Sequence, residues 1–392
     1  MSLSQDLDLI LDVVNRVDPS FATVAPGIID RCVEDLQRHA ARDAREEFLL
    51  SAMQLLALPG NGHTRLIPND AISVLPLRFV TIGTSTFLTK TSSALAELPI
   101  GKVIAVNGRP VAEIELAAAK YLAGTRQRQR VIGPLLLAWP AALARLGFAP
   151  FAHRTEYHIQ SASGQMTCVK LEHTNTITAT EIYPRNEHGQ ADPVWNFKGF
   201  ADVGDCSARG LSIALPSFFD PDGKALSAAI ERAATFVRSH PGRFLVIDVR
   251  GNTGGDFLET MPLIDAITEC AGACGCAVLV DKFTFSAAIV FVALLKYRLG
   301  SKLKLVGEEM GDGLRFFAEG DLIELPISGA FIRYSSALHD WETGSIDETT
   351  PPEIARQIVP VLKLDMDRHW VADPFDTTSR DAVYGMLAEE MA

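Results

Sequence analysis

Past residue 210 the chain settles into one alternation. Short, largely apolar runs at 211–215, 244–247 and 277–280 are separated by segments with helical spacing at 225–239 and 257–268, and an apolar helix follows at 287–297. Apolar runs of four or five residues with little polar alternation are read as strands buried on both faces, and strands alternating with helices are read as parallel βαβ units. The C-terminal ends of such strands are where turns carry chemistry, and the second run leads into Asp248-Val249-Arg250-Gly251-Asn252-Thr253-Gly254-Gly255. Three glycines there let backbone N–H groups approach a bound group with no Cβ in the way.

The first half has a different texture. Residues 5–58 carry apolar side chains at helical spacing (Leu9, Ile10, Val13, Val14; Phe48, Leu49, Met53, Leu56), and Pro59-Gly60-Asn61-Gly62 then breaks the helix just before His63. From 74 to 114 short apolar runs alternate with turns, and Asn107-Gly108 between two β-rich runs predicts a hairpin. An apolar helix is expected over 135–146 and a strand meander over 150–200. The expected division is a helical unit at 1–70, a β-rich module with a helix at 71–150, a strand-rich connection at 151–200 and an α/β core at 201–392. No tandem repeat or low-complexity tract interrupts this order.

With 392 residues, 47% of them apolar, the chain is long enough for two or three packed units. A formal charge of −12 and a pI near 5.3 repel a phosphate backbone, so nucleic acid is not an expected partner. The one locally basic stretch, 125–130 with Arg126, Arg128 and Arg130, reads as a solvated loop. No apolar run reaches the roughly 18–20 residues of a spanning helix. The first residues lack the basic start and apolar stretch of a leader, so a cytoplasmic protein is expected. Six cysteines are too few for a disulfide scaffold; Cys270, Cys274 and Cys276 form the one cluster and read as packing residues rather than zinc ligands. No metal or cofactor is called for, and the sequence leaves the oligomeric state open.

Ser286, in Thr284-Phe285-Ser286-Ala287-Ala288, stands between a strand and an apolar helix. A serine in that position is ordinarily an N-cap. It is also where a hydroxyl would meet a helix N-terminus and the free N–H of Ala287. A neutral hydroxyl needs a base. Lys296 sits on the apolar helix, Lys302 and Lys304 precede the next strand, and no further lysine occurs until Lys363. His63, with an imidazole that titrates near neutral pH and a glycine-flanked loop expected to leave the ring unshielded, is the better candidate.

Taken together, the motifs resemble peptidase family S41, the tail-specific and tricorn-like serine proteases. Asp248 to Gly255 is similar to that family's Asp-x-Arg-x-Asn-x-Gly-Gly signature, Thr284 to Ala288 to its nucleophile turn, and Val306-Gly307-Glu308 to the strand and loop that follow. Gly62-His63-Thr64 resembles the Gly-His-Thr motif of the histidine-using branch, and residues 101–111 resemble a reduced PDZ-like module. The stretch Gly311-Asp312-Gly313-Leu314 lacks the lysine of the lysine-using branch. Residues 82–87 depart from the usual carboxylate-binding loop, so capture of a free peptide C-terminus is not expected.

The resemblance implies a mixed, multidomain α/β fold: a βαβ spiral core of the ClpP/crotonase kind with an N-terminal helical unit and a small PDZ-like module. It implies a Ser286 nucleophile, a His63 base and an acidic third member. Glu342 is the first choice for that acid, with Glu308, Asp340 and Asp347 as alternates. Ala287 and Gly254 or Gly255 would form the oxyanion hole, and a peptide or unfolded protein would be the substrate. The competing readings are a non-catalytic binding protein on the same scaffold, a crotonase-like enzyme acting on acyl-CoA thioesters, and an esterase or amidase.

Overall fold

The computed structural model describes residues 2–148, 153–182, 199–371 and 380–392. The chain divides into two compact units, Met1–Pro184 with Phe316–Leu338, and Arg185–Arg315 with His339–Ala392.

The first unit begins with helices Ser4–Asp12, Pro26–Ala41 and Arg45–Ala57. The third buries Phe48, Leu49, Leu50, Ala52, Met53, Leu55 and Leu56, more than one face of a helix, so it is the central element of the unit's core. A six-stranded antiparallel sheet follows. Its path runs Leu77–Ile82, Ser85–Thr91, Gly101–Val106, Arg154–Gln160 and Met166–Glu172, and Arg109–Pro110 pairs back onto Gly101–Val106. The Asn107-Gly108 hairpin forms as the sequence predicts. Val106 pairs with Arg109, and Asn107 and Gly108 take φ of 49° and 74°, the two positive values a tight two-residue turn requires. The strands Arg154–Gln160 and Met166–Glu172 therefore pair in the same sheet as Leu77–Ile82, Ser85–Thr91 and Gly101–Val106, while Ile177–Thr178 pairs with Ser73–Val74 apart from it. The parts of the expected meander at 150–152 and 183–198 lie outside the described residues.

Two local expectations fail for identifiable reasons. The helix over 135–146 is instead two, Pro134–Ala138 and Pro140–Arg145, because Pro140 cannot donate and holds Trp139 extended at φ −103°, ψ 103°. The basic stretch 125–130 is not a solvated loop. Thr125 caps the helix Arg126–Ile132, accepting from the Arg128 N–H, and Gln127 and Arg128 are buried. The first unit is completed by a later segment of chain: Leu322–Glu324 and Phe331–Arg333 form a three-stranded sheet with Arg65–Ile67, in which Arg65 pairs with Arg333.

The second unit is the α/β core. Its sheet runs in chain order through Asp202–Asp205, Gly210–Ala214, Phe244–Asp248, Cys276–Val280, Leu303–Gly307 and Arg368–His369. Every pairing is parallel except the first. Helices Lys224–Arg238, Met261–Cys274 and Ala287–Leu299 connect the parallel strands. Lys224–Arg238 buries Leu226, Ala229, Ile230, Ala233, Ala234 and Val237, one stripe at helical spacing. Ala287–Leu299 is buried from residue 287 through 295, enclosed on all sides there, which accounts for the unbroken apolar run before Lys296. Cys276 lies in a fully buried strand, and burial pushes its thiol up to about 12, in keeping with a packing role. Among the described residues, no helix is long and apolar enough to cross a membrane.

Candidate active site

Asp248, the last residue of its strand, is fully buried. Its carboxylate accepts from Arg250 Nε at 2.9 Å, the Arg250 backbone N–H at 3.0 Å and Tyr384 Oη at 2.7 Å, and a second guanidinium nitrogen lies at 2.5 Å. The guanidinium also lies 4.9 Å from the centre of the Trp370 ring. Burial works to lower the Arg250 pKa, but the Asp248 carboxylate outweighs it and holds the group above its ordinary value. The Tyr384 phenol is pushed up by burial and then by the same carboxylate. The Asp-x-Arg element is therefore an anchor that closes the strand end and docks the C-terminal helix Arg380–Met391.

Beyond the anchor, Asn252 organises the glycine loop. Its Nδ2 donates to the Leu215 carbonyl at 2.9 Å, its Oδ1 accepts from the Gly254 N–H at 2.9 Å, and its carbonyl accepts from the Phe285 N–H at 3.0 Å. Gly254 and Gly255 sit at φ 103° and 135°, conformations that exclude ordinary side chains. A Cβ on Gly255 would lie 1.8 Å from the Phe218 carbonyl oxygen, and one on Gly254 would lie 2.7 Å from Ser286 Cβ. The Gly254 N–H is thus already donated. Gly255 is exposed, and its bridge to Phe218 uses the neighbouring Gly254 carbonyl and Asp256 N–H, leaving its own N–H outside that pairing.

The turn before Ser286 is held by Asp281. One oxygen of this buried carboxylate accepts from the N–H groups of Gly251 at 3.0 Å, Phe283 at 2.9 Å and Thr284 at 3.0 Å, tying the glycine loop to the serine turn. Burial raises the Asp281 pKa, and the Gly251 N–H opposes that rise. Thr284 adds a hydroxyl bond to the Val249 carbonyl at 2.9 Å, and its own carbonyl accepts from the Gly311 N–H at 2.9 Å. Lys282, four residues before the serine, is buried with its ammonium 3.1 Å from Glu308 Oε1.

Ser286 occupies the position before the helix Ala287–Leu299, yet it is no ordinary cap. Its φ of 57° and ψ of −126° lie far from the extended conformation of an N-cap, and its side chain makes no capping hydrogen bond. A non-glycine residue held there is strained by about 1–3 kcal/mol and persists because the surrounding bonds fix the turn. The hydroxyl is half-buried at the start of a thirteen-residue helix. Ala287 is that helix's first residue, where an N–H has no intrahelical acceptor.

In the first unit His63 is buried, at 3% exposure, rather than unshielded as its glycine-flanked loop suggests. Its ring stacks on Phe316, with centroids 5.1 Å apart and planes 18° from parallel. Phe316 comes from a segment more than 250 residues later, so local sequence gives no hint of this cover. A buried polar network fixes the loop. Asn61 Nδ2 donates to Thr64 Oγ1 at 3.0 Å and Ser335 Oγ at 2.9 Å, and Asp18 Oδ2 accepts from Thr64 Oγ1 at 2.5 Å and the Ser335 N–H at 2.9 Å.

The acidic candidates differ in what already holds them. Glu308 is paired with Lys282. Asp340 accepts from the Thr343 N–H at 2.8 Å and Thr343 Oγ1 at 2.9 Å, with Arg315 Nε at 3.3 Å. Asp347 accepts from the Thr349 N–H and hydroxyl within its own turn. Glu342 is exposed, directly after the buried Trp341.

No family model and no curated protein matches this sequence. A solved structure does. Mature CPAF aligns over 99% of this chain and 95% of its own, at a TM-score of 0.54 and 13% identity. The two share a fold. The photosystem II D1 C-terminal processing protease also aligns, over 98% of both chains, at a TM-score of 0.38 and 17% identity. The first comparison agrees with the multidomain α/β fold that the S41 resemblance implies.

The sequence motifs single out Ser286, His63 and the Gly254–Gly255 pair, and give no structural role to the groups that hold them, Asp281, Asn252, Tyr384 and Asp18. Asp281 and Asn252 were within reach, since each stands at the end of a recognised strand or inside a recognised motif. Asp18 and Tyr384 were not.

Proposed function

We propose that this chain is a serine-type peptidase of the S41 kind that cleaves peptide or unfolded-protein segments through a Ser286 acyl-enzyme. The observation that carries the reading is Ser286 itself: a strained serine at a helix N-terminus, freed from capping, facing a glycine that leaves room beside its Cβ. Strain of this kind is what a nucleophile turn stores.

In this reading His63 takes the proton from Ser286 Oγ as the oxygen attacks a peptide carbonyl. The oxyanion that forms is bound by the N–H groups of Ala287 and Gly255, since the Gly254 N–H is spent on Asn252. The imidazolium returns its proton to the departing amine, and water, activated by the same histidine, releases the acid. Glu342 is the proposed partner of the imidazole, because Glu308, Asp340 and Asp347 already have partners. The same pairing of Glu308 with Lys282 argues against Lys282 as the base.

The test is labelling with a fluorophosphonate probe and cleavage of an unfolded protein. Wild type should do both, and Ser286→Ala and His63→Ala should do neither. A folded wild type that never labels sinks the reading.

A further inference from the structure

We propose a metal-ion site on the outer face of the hairpin formed by the strands Arg154–Gln160 and Met166–Glu172, with Cys168 Sγ, one His158 ring nitrogen and a Glu156 carboxylate oxygen as ligands of a zinc-type divalent ion. It is independent of the peptidase reading.

The register builds the cluster. Thr155, Tyr157 and Ile159 turn into the core and Val169 and Leu171 join them, so Glu156, His158, Cys168 and Lys170 share the opposite face. His158 stands directly opposite Cys168, and Glu156 opposite Lys170. On its other side His158 faces Ala105, whose methyl group crowds little. One donor atom from each of Glu156, His158 and Cys168 lies within 4.8 Å of the other two. Ligands at about 2.0–2.3 Å from a tetrahedral zinc lie roughly 3.3–3.8 Å apart, so closing the site asks for movements on the order of 1 Å from half-buried or exposed side chains.

The donor set is also selective. A thiolate, an imidazole and a carboxylate together suit zinc or cobalt rather than calcium or magnesium, which take oxygen ligands. The imidazole already points at the carboxylate, with His158 Nε2 2.8 Å from Glu156 Oε1. The other carboxylate oxygen lies 3.0 Å from Lys170 Nζ. Lys170 therefore competes for the same carboxylate. When the ion binds, the Cys168 thiol gives its proton to solvent, and water takes the fourth position.

The experiment is a Co²⁺ titration of the full, chelator-stripped chain, followed by Zn²⁺ displacement. Wild type should develop a near-ultraviolet thiolate-to-cobalt charge-transfer band that Zn²⁺ abolishes. Cys168→Ser should lose the band, His158→Ala and Glu156→Gln should each weaken binding at least about ten-fold, and Lys170→Met should tighten it. All four positions are on the solvent face, so unchanged circular dichroism will show that folding is intact. No band in wild type, a band that persists in Cys168→Ser, or affinity unmoved by both His158→Ala and Glu156→Gln overturns the site.

Discussion

The turn that presents Ser286 and the loop that presents His63 are both rigid, but they are rigid for different reasons. In the second unit the turn is held by backbone N–H groups gathered on Asp281 and Asn252, with glycines where any Cβ would collide. These groups lie close in sequence or on adjacent strands. The His63 loop of the first unit is held by side chains: Asp18, Asn61, Thr64, Ser335 and the Phe316 ring. Ser335 is 317 positions from Asp18, whose carboxylate receives its N–H. A turn built from backbone and glycine leaves an eight-residue signature; the loop held by distant side chains leaves only Gly62-His63-Thr64.

Breaking the backbone-built turn should have the larger effect. Gly255→Ala puts a methyl 1.8 Å from the Phe218 oxygen at φ 135°, and should destabilise the protein by more than about 3 kcal/mol, read by denaturant unfolding. Gly254→Ala meets Ser286 Cβ at 2.7 Å, the Phe285 carbonyl oxygen at 3.0 Å and the Ala287 nitrogen at 3.1 Å, at φ 103°. It should cost less stability than Gly255→Ala, because no contact is as short as 1.8 Å, while pushing the serine turn aside and slowing fluorophosphonate labelling at least about a hundred-fold. Equal losses of stability in the two variants would show that Gly254 serves folding alone.

The side-chain-built loop should fail more gradually. Asp18→Ala leaves the buried Ser335 N–H without its acceptor and takes one of the Thr64 hydroxyl's partners, and a buried orphan costs about 1–3 kcal/mol. Labelling should fall with it, through the proposed dependence on His63. Tyr384→Phe removes one bond to the Asp248 carboxylate and should cost about 1.5–3 kcal/mol in denaturant unfolding, with labelling unchanged.

Asp281 sharpens the comparison at the level of charge. Its pKa is raised in the folded state, so the folded chain binds this proton more tightly than the unfolded one. Its contribution is complete below the ordinary carboxylate range and is lost as pH rises through the raised value. Asp281→Asn keeps an acceptor oxygen for the three N–H groups and should flatten that part of the stability profile while retaining labelling. Asp281→Ala should lose labelling. Identical profiles for wild type and Asp281→Asn would rule out the raised pKa.

The apolar runs and the helical spacing between them determined the parallel core, because burial on both faces leaves no other pattern. Asn107-Gly108 determined its hairpin, and the Gly-Gly pair marked the loop beside Ser286. Other features waited on tertiary structure. Whether Ser286 caps its helix depends on a φ of 57° that no residue type announces. The burial of His63 depends on a ring supplied from residue 316. The split of 135–146 into two helices, by contrast, was written locally in Pro140. Glu156, His158 and Cys168 meet only because strand register sets position 158 opposite 168. Periodicity and turn chemistry act over a few residues and are legible there; the partners of a buried polar group are set by which distant segments the fold brings together.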